Sequence, residues 1–342
     1  MAGKLRFSRL FCSDRRELSK RFSVGDTKQP LACTHFFVID DVIYKGNKYM
    51  PSKQCIAIEK ILSTARDLRL RSFDPTSALR AKRRQNAKRY IPPRAVRLIM
   101  RPECRRIAST TCYTIGKGSK CVLYFHGGSY VDPPLIFHWR FLQVLTRRAG
   151  CSAVLPLYGR APQHKCERTV LHMARVYKDV CKRFGVENVI IMGDSAGGGL
   201  ALALTEYLAK KNVPLPKKVI LLSPWLDVDM TGEYPNEDSD PTLSKVELTT
   251  FGAAYRRDLP VGNYLASPLF GVTDKLPPLY VYVGENEMFL YDCIKLKRNC
   301  DSVGVFCQLK TYPDMPHVFV EYPMPDANEA KDEIVRLVSE GE

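Results

Sequence analysis

The chain has 342 residues, 45% of them hydrophobic and 26% charged, which suits one large domain with an appendage or two modest domains and allows a sizeable core. Its formal net charge of +16 sits at the front: residues 1–120 hold 28 Lys and Arg against 9 Asp and Glu, and the remainder holds 24 against 27. The basicity therefore does not mark the whole chain as a binder of anions.

Along the first 95 residues, Ile58, Ile61, Leu62, Ala65 and Leu68 recur at helical spacing within 55–70, and Thr76 to Tyr90 reads as a very basic helix stopped by Pro92-Pro93. The expected organisation is a basic N-terminal segment with cap helices over 1–95 and a catalytic domain over 96–342. From Val96 onward the pattern alternates. Strands are predicted at 96–100 and 110–115, joined by a polar turn, and at 121–125. Helix 136–148, strand 152–157, helix 167–184, strand 189–192, helix 196–211 and strand 219–222 follow. Strand 279–283, helix 291–303, strand 305–311 and helix 329–339 complete the series. This alternation predicts an α/β fold with a mainly parallel sheet covered by helices on both faces, and catalytic groups at the carboxyl ends of strands.

Twelve cysteines at irregular spacings include no C-x-x-C pair, so no metal cluster or haem attachment is expected and the thiols are read as free. The start Met1-Ala2-Gly3-Lys4-Leu5-Arg6 lacks the apolar region of a secretory signal, and no apolar run nears the roughly 18 residues of a membrane span. A cytoplasmic, reducing setting is the expectation.

Chemistry concentrates in three places. Gly193-Asp194-Ser195-Ala196-Gly197 is a G-x-S-x-G pattern between a predicted strand and helix, where a sharp turn holds a serine hydroxyl within reach of a base. His126-Gly127-Gly128 follows another strand, and its glycines let backbone N–H groups converge on a developing oxyanion. Gly127, Gly128 and Ala196 are the expected donors, each worth about 3 kcal/mol in the transition state. His317, in a loop beyond the last strand, is the leading base for Ser195. Glu285, Glu287 and Asp292 all follow strand 279–283, and one of them is to orient the imidazole; Glu287 is preferred, Asp292 second and Glu285 third. Ser129, Tyr130, Trp225, Phe289 and Phe319 lie in or beside these motifs and are the candidate substrate-pocket residues.

From about Pro92 to Leu337 the chain resembles the hormone-sensitive-lipase-like family of α/β hydrolases. The resemblance rests on His126-Gly127-Gly128, on Tyr158-Gly159-Arg160-Ala161-Pro162-Gln163-His164 and on Gly193 to Gly198. It rests further on Leu222-Ser223-Pro224-Trp225-Leu226-Asp227, Gly284 to Asp292 and Met315-Pro316-His317-Val318-Phe319. It implies an α/β-hydrolase fold with a sheet of about eight strands, an N-terminal helical cap and no cofactor. It also implies Glu287 as the triad acid, with Asp292 at the motif's trailing aspartate. Ser129 replaces the third glycine of the family's H-G-G-G, and Gln163 replaces an acidic residue. The implied activity is hydrolysis of small to medium acyl esters, and the same machinery would serve amide or steryl-type deacetylation. A non-catalytic receptor on a hydrolase scaffold is disfavoured because Ser195 and His317 are both present. The basic run Arg80, Lys82, Arg83, Arg84, Lys88 and Arg89 suits an anionic membrane surface better than nucleic acid, for it holds too few aromatics to stack bases. Oligomeric state is left open.

Overall fold

A computed structural model describes residues 35–39, 42–46 and 50–340. β1 (His35–Ile39) and β2 (Val42–Gly46) pair antiparallel within one compact unit; residues from 49 onward form another. Residues 1–34 of the basic segment, Cys12 and Cys33 among them, lie outside the described residues.

The second unit begins with α1 (Lys53–Leu70) and α2 (Pro75–Asn86). Ser52 Oγ accepts the Cys55 N–H at 3.1 Å and an Asp74 carboxylate oxygen accepts the Ser77 N–H at 2.7 Å, so each helix starts on a side-chain cap. α2 stops before Tyr90, because that side chain is engaged elsewhere: its hydroxyl donates to Pro134 O and accepts from Trp139 Nε1, both at 2.9 Å. Both helices belong to the same compact unit as the sheet.

One predicted strand is corrected. Residues 96–100 form most of a short helix, α3 (Arg94–Ile99), which buries only Val96. A brief apolar run does not distinguish strand from helix by periodicity, and Leu98 and Ile99 turn outward. The true strand is β3 (Glu103–Ile107), an exposed edge strand too polar to be read from hydrophobicity; it pairs antiparallel with β4 (Thr110–Ile115).

The sheet has eight strands in the order β10-β9-β8-β7-β5-β6-β4-β3. Its parallel part comprises β5 (Cys121–Phe125), β6 (Ser152–Pro156), β7 (Val189–Asp194), β8 (Lys218–Leu222), β9 (Leu279–Gly284) and β10 (Cys307–Tyr312). Every residue of β5 to β8 is buried, as expected where helices cover both faces and the sequence is continuously apolar. The covering helices are α4 (Ile136–Ala149), α5 (Cys166–Phe184), α6 (Ser195–Lys210), α8 (Leu290–Ser302) and α9 (Asn328–Ser339), while α7 (Lys245–Arg256) packs against α2 and α5. α4 ends on Gly150 at φ 62°, a left-handed cap that glycine accepts without strain. The chain leaves β5 for β6 on one side and returns past it to β7 on the other. The crevice at the carboxyl ends of β5 and β7 is thus the topological switch point where ligands bind in such sheets.

Candidate active site

Ser195 stands where β7 becomes α6, at φ 50°, a left-handed conformation that costs a non-glycine residue energy and thrusts its side chain out of the turn. The turn closes only because two neighbours lack a Cβ: one at Gly193 would lie 2.3 Å from Gly197 O, and one at Gly197 would lie 2.0 Å from Phe125 O.

His317, in the loop after β10, places Nε2 2.9 Å from Ser195 Oγ and Nδ1 2.5 Å from a Glu287 carboxylate oxygen. Glu287 is fully buried, and its other oxygen accepts from Ser223 Oγ at 2.6 Å and Gly284 N–H at 2.8 Å. Ser223 Oγ in turn accepts the Val318 N–H at 3.0 Å, so one hydroxyl ties the acid to the backbone beside the base. The Phe289 ring meets the imidazole edge-on at 5.2 Å. Burial works against a charged His317, but the carboxylates of Glu287, Asp240 and Asp194 outweigh it and hold its pKa above the ordinary imidazole value.

The other two carboxylates are engaged elsewhere. Glu285 accepts from Thr311 Oγ1 at 2.7 Å. Asp292 accepts from Tyr234 Oη at 2.9 Å and is pushed up to about 6 by burial. Of the three, only Glu287 meets the imidazole.

The Gly127 N–H donates to an Asp194 carboxylate oxygen at 2.8 Å, and a Cβ there would lie 2.1 Å from the other oxygen. Its amide is committed, and the expectation that it faces a substrate oxygen is corrected. Gly128 (φ 106°) and Ser129 (φ 51°) turn the chain back along the cavity wall. Ala196 lies in the first turn of α6, where backbone N–H groups have no intrahelical acceptor. His126 is buried and stacked on Tyr158 at 4.4 Å. Burial and the neighbouring His138 lower it to about 3, so it stays neutral.

A cavity of about 590 Å³ opens onto Ser195 and His317. Of the five predicted pocket residues only Ser129 lines it. The other four are corrected to core: Tyr130 stacks on Tyr255 at 3.6 Å, Trp225 on Phe289 at 6.1 Å, and Phe319 packs against Tyr312. All four are almost fully buried, because aromatics next to these turns hold the turns in place. The apolar walls come instead from Phe73, Phe137, Leu243, Leu248 and Phe251, most of them outside any motif.

Among the described residues, His138, Asp194 and Glu321 converge closely enough to consider a metal ion. Against burial, the Glu321 and Asp194 carboxylates raise His138 to about 9, so the Nε2 that faces them carries a proton. The nitrogen a metal would need is a donor, so the set does not fit one.

A family model described as the alpha/beta hydrolase fold matches residues 122–321. A triacylglycerol lipase of Mycobacterium tuberculosis is 34% identical over 184 residues, 54% of this chain and 38% of that protein. An esterase of Acinetobacter venetianus is 29% identical over 229 residues, 65% of this chain and 75% of that one. Among solved structures, a putative esterase from Staphylococcus aureus aligns with TM-score 0.73 at 27% identity, over 77% of this chain and 91% of its own. An esterase from the bacterial hormone-sensitive lipase family aligns with TM-score 0.72 at 26% identity, over 85% of this chain and 99% of its own. The chain spans well under half of the mycobacterial lipase and most of the esterases.

Proposed function

The chain belongs to the α/β-hydrolase family, in its hormone-sensitive-lipase-like branch, and on that premise we propose that it is a serine carboxylic-ester hydrolase. The observation that carries the proposal is the unbroken line from Ser195 Oγ through His317 to Glu287, with spacings of 2.9 and 2.5 Å at the floor of a cavity. His317 takes the hydroxyl proton as Ser195 attacks the ester carbonyl, and Glu287 stabilises the imidazolium that forms. The oxyanion is received by the amides of Gly128 and Ala196, with Ser129 as the third donor in place of Gly127. His317 then protonates the leaving alcohol, and water releases the acid from the acyl-enzyme. No metal or cofactor enters these steps.

The cavity volume falls within the range of small-molecule sites, and its apolar walls suit small to medium acyl groups. Residues 53–86 supply Arg69, Phe73, Ala78 and Lys82 to that wall and act as the cap. Amide or steryl deacetylation would use the same residues, and the cavity favours none of these over simple esters. Turnover of p-nitrophenyl acetate and butyrate tests the reading. Ser195→Ala is expected to lower kcat by at least about 10⁴-fold, and a variant retaining a tenth of wild-type activity overturns it.

A peripheral membrane contact has its own support. Ile91, Leu98 and Ile99 are more than 60% exposed, and they sit among the exposed Arg89, Arg94, Arg97, Arg101, Arg105 and Arg106. Apolar side chains within a basic rim suit an anionic lipid surface, each cation adding about 1 kcal/mol near it. Sedimentation with phosphatidylserine vesicles is expected to carry the protein down, phosphatidylcholine vesicles to leave it in solution, and Arg97→Glu with Arg101→Glu to abolish binding. Equal binding to both lipids contradicts electrostatic docking. Among the described residues no helix is long and apolar enough to cross a membrane.

A further inference from the structure

Beneath the oxyanion loop lies a buried chain of polar groups that the reaction steps above do not use. The Tyr124 hydroxyl, on β5, is 2.7 Å from one oxygen of Asp194 and 2.6 Å from one oxygen of Glu321. Tyr124 is fully buried, Asp194 is 2% exposed and Glu321 8%. A phenol has one proton to give, and an ionised carboxylate only accepts. Two short contacts from one hydroxyl to two carboxyl groups therefore require a second proton on one of the acids.

The surroundings say which. The Asp194 oxygen that meets Tyr124 also accepts the Gly127 N–H, and its other oxygen faces His138 Nε2 at 3.4 Å. Three donors aim at Asp194, so it is the anion. Glu321 faces His138 Nε2 at the longer distance of 4.0 Å; burial together with the Asp194 charge pushes its pKa up to about 7, against the opposing pull of His138, itself raised to about 9. Burial, with Asp194 and Glu321 adding, raises the Tyr124 phenol well above its ordinary range, so it keeps its proton. The other titratable groups around Glu321 are His317, the adjacent Tyr322 and, from α9, Lys331; His126 stands on the Asp194 side. The hydrogen bonds then run one way: Glu321 donates to Tyr124, Tyr124 donates to Asp194, and Asp194 holds the Gly127 amide.

We propose that Glu321 is a positioning residue whose proton keeps the H-G-G loop in its working place through Tyr124 and Asp194, and that losing this proton switches catalysis off on the alkaline side. The inference rests on the ester-hydrolase reading. When Glu321 ionises, two facing carboxylates compete for one phenolic proton, and the Asp194 contact to Gly127 loosens directly ahead of Gly128. The new negative charge also lies near the developing oxyanion and favours the protonated, inactive form of His317. All three effects lower kcat as pH rises.

The test is the pH profile of kcat for p-nitrophenyl butyrate in wild type, Glu321→Gln and Glu321→Leu, each first shown folded by its near-ultraviolet circular dichroism. Wild type is expected to give a bell whose alkaline side falls about tenfold per pH unit. In Glu321→Gln the carboxamide donates permanently to Tyr124, and the alkaline fall moves up by more than one pH unit. Glu321→Leu has no donor and loses about tenfold in kcat across the range, with KM little changed, as expected for a group acting through the oxyanion loop. Coincident alkaline limbs in wild type and Glu321→Gln overturn the inference while leaving the ester-hydrolase reading intact. Absence of Ser195-dependent turnover in wild type overturns that reading, and this inference with it.

Discussion

Gly127 and Asp194 illustrate what a motif carries and what it does not. Both sit inside recognisable patterns, yet the N–H of one is spent on the carboxylate of the other, and the spacing of glycines does not reveal which way an amide points. The pairing of His317 with Glu287 rather than Asp292 has a similar basis. Gly284 and Ser223 anchor one Glu287 oxygen and so aim the other at the imidazole, whereas Tyr234 turns Asp292 away. Glu287→Gln is therefore expected to lower kcat about a hundredfold or more, because an amide no longer stabilises the imidazolium, and Asp292→Asn to lower it less than about threefold. Steady-state kinetics on the two variants decides, and the reverse order would move the acid to Asp292. The pH sign follows from the same contact. A base held protonated by Glu287 releases its proton only above the usual imidazole value of about 6.5, so activity should rise with pH through a midpoint above that value. A midpoint at or below 6 contradicts the ionised Glu287.

Elements buried on both faces were legible because their sequence is continuously apolar or strictly periodic: β5, β7, β8 and α6 stand within two residues of where the sequence places them. Elements at the margin were not. α3 shows Leu98 and Ile99 to solvent, β3 is held by pairing with β4 rather than by burial, and α7 passed unpredicted although it carries part of the cavity wall. The wall is likewise a product of elements meeting, since Phe73 between α1 and α2 packs edge-on against Phe251 of α7 at 6.2 Å. Phe251→Ala should widen the acyl end and raise the ratio of kcat/KM for octanoate over butyrate esters about tenfold, the scale on which hydrophobic pockets discriminate chain length. An unchanged ratio would place the acyl group elsewhere.

At the scale of the whole molecule, the order of strands explains why motifs nearly 200 residues apart share one crevice. β5 brings the H-G-G loop and β7 the serine to the switch point, while β8, β9 and β10 deliver Ser223, Glu287 and His317 along the same edge. The alternation of strand and helix in the sequence predicts catalytic groups at the carboxyl ends of strands, but not the order in which the strands lie. Nor does it predict the proton-linked group below the loop, because Tyr124, Asp194 and Glu321 belong to three separate segments and meet only in the folded chain. In the proposed mechanism Ser195 is a nucleophile activated by His317. Intact-protein mass spectrometry after treatment with a fluorophosphonate tests it most directly. The expected result is a single adduct that maps to Ser195, is absent from Ser195→Ala and forms much more slowly in His317→Ala. A folded chain that takes no adduct, or carries it on another residue, would contradict it.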